Sequence, residues 1–236
     1  MHWTNRLAAA GLVLLLPVIA LHAQVPAAPA LGATSYVLMD FHSGHVVAAE
    51  APDARVEPAS ITKLMTSYVV FRELRAGRLA LEDTVRISEK AWRTGGSKMF
   101  IEVGDRVGVE ELLKGVIVQS GNDASVALAE HVAGAESSFA GLMNSHAERL
   151  GMRNSHFVNS TGLPHPEHYM SPRDIATLTS AIIREFPEYY AWYAIPEYTY
   201  NGITQANRNR LLRQDPSVDG VKTGHTEAAG YCLVSS

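Results

Sequence analysis

An α/β (α+β) fold is predicted from three observations. Apolar residues recur at three-to-four spacing in several stretches between residues 61 and 183, the mark of helices with a buried face. Short, partly β-branched runs around a Ser-Gly turn precede them at 35–50, and an alternating segment follows at 221–236. The 236 residues are 47% hydrophobic and 19% charged, a globular balance with length for one sizeable core. Net charge is −4 and the basic residues form no run or stripe, which argues against a nucleic-acid partner.

Residues 1–23 differ from the rest. Arg6 is the only Lys, Arg, Asp or Glu there, Leu7 to Leu21 is an apolar run broken by Pro17, and Leu21-His22-Ala23 ends on a small residue. The pattern is that of a secretory signal, too short to span a bilayer comfortably, so export is expected. Residues 24–32 read as an Ala/Pro-rich flexible tail. Cys232 is the only cysteine, so no intramolecular disulfide forms; far along the chain from Ser60, it reads as a buried small hydrophobe.

Ser35 to Asp40 and His45 to Glu50, joined by Phe41-His42-Ser43-Gly44, read as a β-hairpin whose H-x-x-H pair is exposed turn rather than metal site. Next comes Pro58-Ala59-Ser60-Ile61-Thr62-Lys63. Ile61, Leu64, Met65, Tyr68 and Phe71 mark one helical face, which places Ser60 in the first turn and Lys63 one turn on. If burial and a neighbouring cation keep its amine neutral, Lys63 takes the hydroxyl proton and Ser60 becomes a nucleophile at a helix N-terminus. The Gly-rich stretch 93–100 fits no phosphate-cradling pattern.

Helical periodicity resumes over Val109 to Val118 and stops at Ser120-Gly121-Asn122. Asp123 is placed to cap the following helix, which runs to Gly134. The corner presents a hydroxyl for proton relay and an amide for a peptide group. A further helix is read from Phe139 to Arg153. A polar loop follows at 154–169, in which Pro164 and Pro166 prevent His165 and His168 from sharing a helical face, so no metal is expected. Ser171-Pro172 opens another helix, and the aromatic residues of 189–200 read as core. Val221 to Thr226 alternates like a strand. In it Lys222 supplies a cation, Thr223 a hydroxyl for a carboxylate, and Gly224 a gap where a ligand backbone could approach.

Three elements, S-x-x-K, S-x-N and K-T-G, thus stand in order and far apart, a set closely related to the signatures of class A β-lactamases and penicillin-binding proteins. Together with Gly96-Ser97-Lys98-Met99-Phe100, Asn207-Arg208-Asn209 and Asp219-Gly220 before K-T-G, they make residues 33–236 resemble the low-molecular-mass penicillin-binding proteins that act as serine-type D-alanyl-D-alanine carboxypeptidases. The resemblance implies an antiparallel sheet flanked by helices, with a mainly helical subdomain, in a β-lactamase/transpeptidase-like fold. It implies Ser60 as the acylated nucleophile, Lys63 as its base, and Ser120 as proton relay to the leaving amine. Asn122 would bind the substrate peptide, Lys222 would keep Lys63 neutral and orient Ser120, and Thr223 with Arg208 would receive the terminal carboxylate. The N–H groups of Ser60 and His225, beside Gly224, would form the oxyanion hole.

The implied substrate is the peptidoglycan stem peptide ending in D-Ala-D-Ala, with β-lactam antibiotics acylating the same serine and no cofactor. The implied site of action is the periplasm or the outer face of the cytoplasmic membrane. In that family the catalytic region continues beyond the strand at 230–236 with a further strand, a covering helix, a small β-rich domain and an amphipathic anchor. The domain at 33–236 is therefore expected to be C-terminally incomplete, with membrane association only through that missing part. Two other readings are a penicillin-binding scaffold with weak turnover and a class A-like β-lactamase. The latter should carry Ser-Asp-Asn and a loop glutamate, whereas here Gly121 stands in the middle and residues 154–169 hold only Glu167.

Overall fold

Every residue from Lys63 to Phe71 in helix α1 (Lys63–Arg75) is buried, so the other elements pack around this helix on all sides. The predicted stripe of Ile61, Leu64, Met65, Tyr68 and Phe71 is only part of what is covered, since Thr66 and Ser67 face neighbours as well. Arg72 and Arg75 in its last turn suit the negative end of the helix, and Arg72 also reaches Glu185 at 3.0 Å.

The computed structural model describes residues 31–236; the leader read at 1–23 and the tail up to residue 30 lie outside them. Ala33–Ser236 cluster as one unit. Strands β1 (Tyr36–Met39) and β2 (Val46–Glu50) form the expected antiparallel hairpin, with a bulge between Leu38 and Met39 and with His42 and His45 exposed. After α1 come β3 (Thr84–Arg86), α2 (Glu89–Arg93), β4 (Arg106–Gly108) and α3 (Val109–Lys114), β3 pairing with β4. Helices α4 (Asn122–Ala133), α5 (Glu136–Arg149), α6 (Pro172–Glu185) and α7 (Pro187–Tyr190) follow, then β5 (Glu197–Tyr200), β6 (Ile203–Ala206), β7 (Val221–Thr226) and β8 (Gly230–Ser235). The antiparallel pairing expected from the sequence is thus distributed over four two-stranded ladders among the described residues.

Ser171 caps α6 by accepting from the Asp174 N–H, with Pro172 at the first position where a missing N–H does no harm. The aromatic stretch is core, as expected: Tyr193 is buried and Tyr189 stacks on Phe71 with ring centroids 4.8 Å apart.

Asp123 departs from its expected role. Helix α4 begins two residues earlier than that cap would place it, with Gly121 as its cap residue, and the buried Asp123 carboxylate accepts from the N–H groups of Met99 (2.9 Å), Phe100 (2.9 Å) and Ala124 (2.9 Å). It fastens the Gly-rich stretch to the start of α4. Between α3 and α4 the chain loosens into a π-turn, Gly115–Gln119, and ends with Ser120 in the left-handed region at φ 62°. A non-glycine residue held there is a local strain that the surrounding packing sustains.

Candidate active site

Pro58 opens a 3₁₀ turn, Ala59–Thr62, which leads directly into α1. Ser60 sits in this turn, partly exposed, and Lys63 is the first residue of the α-helix and only 1% exposed. The Lys63 Nζ lies 2.9 Å from Ser60 Oγ, 2.6 Å from Asn122 Oδ1 and 2.8 Å from the Thr161 carbonyl oxygen. Asn122 cannot flip without loss, because its Nδ2 donates to the Gly95 carbonyl at 2.7 Å. A neutral amine has two hydrogens and one lone pair. Asn122 Oδ1 and Thr161 O only accept, so they take both hydrogens, and the lone pair faces the Ser60 hydroxyl.

Burial first, and the Lys222 cation second, hold the Lys63 amine well below its usual range, while Asp123 acts weakly the other way. Lys222 is lowered to about 7 by its own burial and by Arg208. Lys222 Nζ donates to Ser120 Oγ at 2.8 Å and to the Thr223 carbonyl at 3.1 Å, which couples β7 to the left-handed corner.

A cavity of about 680 Å³ opens over Ser60 and is also lined by Ser97, Ser120, Arg208, Thr223 and His225. The structure therefore brings together the three motif elements read from the sequence. Asn122, expected to hold a substrate peptide, accepts from Lys63 Nζ through its Oδ1 and donates to the Gly95 carbonyl through its Nδ2. The missing side chain at Gly224 leaves room for the chain's own backbone. A Cβ there would meet Pro58 O at 3.0 Å and Ser60 N at 3.1 Å, so the backbone that approaches β7 is the chain's own Ser60 turn. Cys232, opposite Gly224 on β8, is only half-buried and lines the cavity. The strand pairing brings it beside Ser60 despite its distance along the chain.

Two contributors carry no sequence signal. The Thr161 carbonyl acts through backbone alone, and Thr66 Oγ1 donates to the neighbouring Ser160 carbonyl at 2.7 Å. His168 Nδ1 accepts from the Val158 N–H at 3.2 Å, so its Nε2 carries the proton and donates to Thr62 Oγ1 at 2.8 Å. This buried ring, its pKa lowered to about 4 by burial and by His156 and His165, ties the 158–168 loop to the nucleophile turn. Asn207 and Asn209, both buried, anchor the segment that projects Arg208: Asn207 Nδ2 donates to the Ile195 carbonyl at 3.0 Å and Asn209 Nδ2 to the Gly220 carbonyl at 2.8 Å. Glu167 is exposed and stands outside the cavity lining, and among the described residues no glutamate of the kind a class A β-lactamase uses lines the site.

Comparison with known proteins agrees with this geometry. The family described as D-alanyl-D-alanine carboxypeptidase matches residues 22–236. The D-alanyl-D-alanine carboxypeptidase DacA of Escherichia coli K12 is 46% identical over 220 residues, covering 90% of this chain and 55% of that protein; DacC of the same organism is 47% identical over the same shares. The chain thus spans about half the length of these curated relatives. Penicillin binding protein 5 from Haemophilus influenzae superposes with a TM-score of 0.87 at 46% identity, covering 89% of this chain and 62% of that one. A variant of the Streptomyces K15 DD-transpeptidase superposes at 0.82 with 30% identity, covering 88% and 86%. With the Ser-Lys pair, the corner and the K-T-G strand assembled as the sequence resemblance implies, and with a match over nearly the whole chain, the chain belongs to the D-alanyl-D-alanine carboxypeptidase family.

Proposed function

We propose that this domain is a serine-type D-Ala-D-Ala carboxypeptidase that removes the terminal D-alanine from peptidoglycan stem peptides and is acylated by β-lactams at the same serine. The observation that carries the reading is the lone pair of a buried, pKa-depressed Lys63 directed at Ser60 by two pure acceptors. Ser60 Oγ attacks the carbonyl carbon of the penultimate residue while Lys63 takes its proton. The N–H groups of Ser60 and His225 receive the developing oxyanion. The C–N bond then breaks, and Ser120, held by Lys222, passes a proton to the departing amine and is reprotonated by Lys63, which returns to the neutral amine. Water attacks the acyl-enzyme, Lys63 accepts its proton, and collapse returns the proton to Ser60.

Thr223 and Arg208, both at the cavity wall, receive the terminal carboxylate. Asn122, which already supports Lys63, holds the substrate peptide through its remaining amide hydrogen. The leader pattern at 1–23 supports action in the periplasm or at the outer face of the cytoplasmic membrane. Among the described residues no helix is long and apolar enough to cross a membrane.

The test is steady-state release of D-alanine from a peptide ending in D-Ala-D-Ala, with mass spectrometry after penicillin treatment. Turnover with an adduct on Ser60 supports the reading. An adduct without D-alanine release would indicate a scaffold, and an adduct that survives Ser60→Ala would overturn the nucleophile.

A further inference from the structure

Beyond Arg208 the cleft does not end. A second cavity of about 410 Å³ is lined by Gln205, Ala206, Asn207, Arg208, Arg210 and Arg213, and Arg208 and Arg210 line both cavities. Ser60 and Thr223 line only the first cavity, Arg213 lines only the second, and Arg208 and Arg210 stand where the two meet. Three cations meet at one rim of a chain whose net charge is −4. All three stand within residues 208–213 of the sequence, and the fold turns them to one rim. Arg210 and Arg213 begin and end a 3₁₀ turn, in which residues three apart lie on the same side. Both are exposed, and neither takes part in an ion pair among the described residues.

Their platform is fixed. Asn209, 1% exposed, opens the turn by accepting from the Leu211 N–H at 3.2 Å, while its Nδ2 is bonded to the Gly220 carbonyl just ahead of β7. The guanidiniums thus project from a turn anchored to the strand that carries Lys222 and Thr223.

We propose that Arg210 and Arg213 form an anion-recognising subsite for the side chain of the leaving residue, so that a D-dicarboxylic residue such as D-glutamate is accepted there in preference to its neutral isostere. This rests on the carboxypeptidase reading above. The direction follows from the geometry: the acyl part of the substrate ends at Ser60, and the main-chain carboxylate of the leaving residue is taken by Thr223 and Arg208. Only that residue's side chain then extends toward Arg213. Arginine suits the task because its planar fork holds a carboxylate through paired N–H donors.

The experiment compares three matched peptides ending in D-Ala-D-Ala, D-Ala-D-Glu and D-Ala-D-Gln. The kcat/KM ratio of the Glu to the Gln peptide is expected to be about 5 or more at low ionic strength, the scale of solvent-exposed charge pairing, and to fall as salt is added. In the Arg210→Gln, Arg213→Gln double variant the ratio should fall to near unity, while Arg210→Lys, which keeps the charge, should retain part of it. Equal rates for the two peptides in the unaltered protein, or a ratio that persists in the double variant, would overturn the subsite. The D-Ala peptide reports the carboxypeptidase reading separately. If it is not hydrolysed, that reading fails, and calorimetric binding of the Glu and Gln peptides to Ser60→Ala decides the subsite by the same ratio.

Discussion

At Lys63, charge and basicity pull in opposite directions. The side chain has three polar neighbours that would each suit an ammonium, yet burial and Lys222 favour the neutral amine. Lys63→Arg is therefore expected to slow β-lactam acylation of Ser60 by orders of magnitude, since guanidinium keeps its proton and offers no lone pair. Intact-mass measurement of the acylation rate checks this, and a rate near that of the unaltered protein would remove Lys63 as the base. Lys222→Gln tests the second cause. Removing the cation raises the Lys63 pKa, so the acid limb of the kcat/KM profile should move to higher pH; an unmoved limb would show that Lys63 does not feel that charge. The partners of this chemistry were unequally legible in the sequence. Ser60, Lys63, Ser120 and Lys222 stand in spaced motifs, whereas the Thr161 carbonyl is a backbone atom that any residue could supply. Asn122 was legible as a site residue, but its partner was not, because an amide oxygen serves a lysine or a substrate equally well.

Among the elements, the 158–168 loop and the Ser60 turn are pressed together most tightly at Gly162. A Cβ there would lie 1.7 Å from the Ala59 carbonyl oxygen, at a φ of +83°. Gly162→Ala is expected to lose at least about 2 kcal/mol in denaturant unfolding, from overlap and left-handed strain together. Gly141→Ala is the contrasting case, an exposed position in α5 with nothing within 4 Å of the added carbon. It should gain up to about 1 kcal/mol from helix propensity alone. A destabilised Gly141→Ala or a neutral Gly162→Ala would contradict this account of the packing. Sequence reading placed both glycines, one in a loop and one in a helix, but spacing along the chain says nothing of what a missing side chain makes room for. The same limit applies at Asp123. A carboxylate at a helix start looks like a cap, and only the fold shows the Met99 and Phe100 N–H groups arriving from another segment.

For the molecule as a whole, two buried imidazoles contribute to the response to acid. His168 and His146 are each lowered to about 4, mainly by burial. Between that value and the ordinary 6.5 the unfolded chain binds more protons than the folded one, so stability falls as pH drops through this window. The loss attributable to His168 is on the order of 3 kcal/mol. Unfolding free energies measured from pH 7 to pH 4 should show this decline, and His168→Gln should make it shallower even if it lowers stability at pH 7. A parallel decline in the variant would acquit His168. Helices, hairpin and closing strands were legible because periodicity reports burial, but the meeting of distant segments was not. That feature carries a temporal consequence. Lys63 finds its Thr161 acceptor 98 residues away, and Ser120 its Lys222 donor 102 residues away. On the proposed mechanism, Ser60 is an ordinary alcohol until both long-range contacts close, and contacts widely separated in sequence slow folding. Reactivity toward an acylating probe is therefore a clock: pulses of a fluorescent penicillin during refolding would tag only chains whose assembly is already finished.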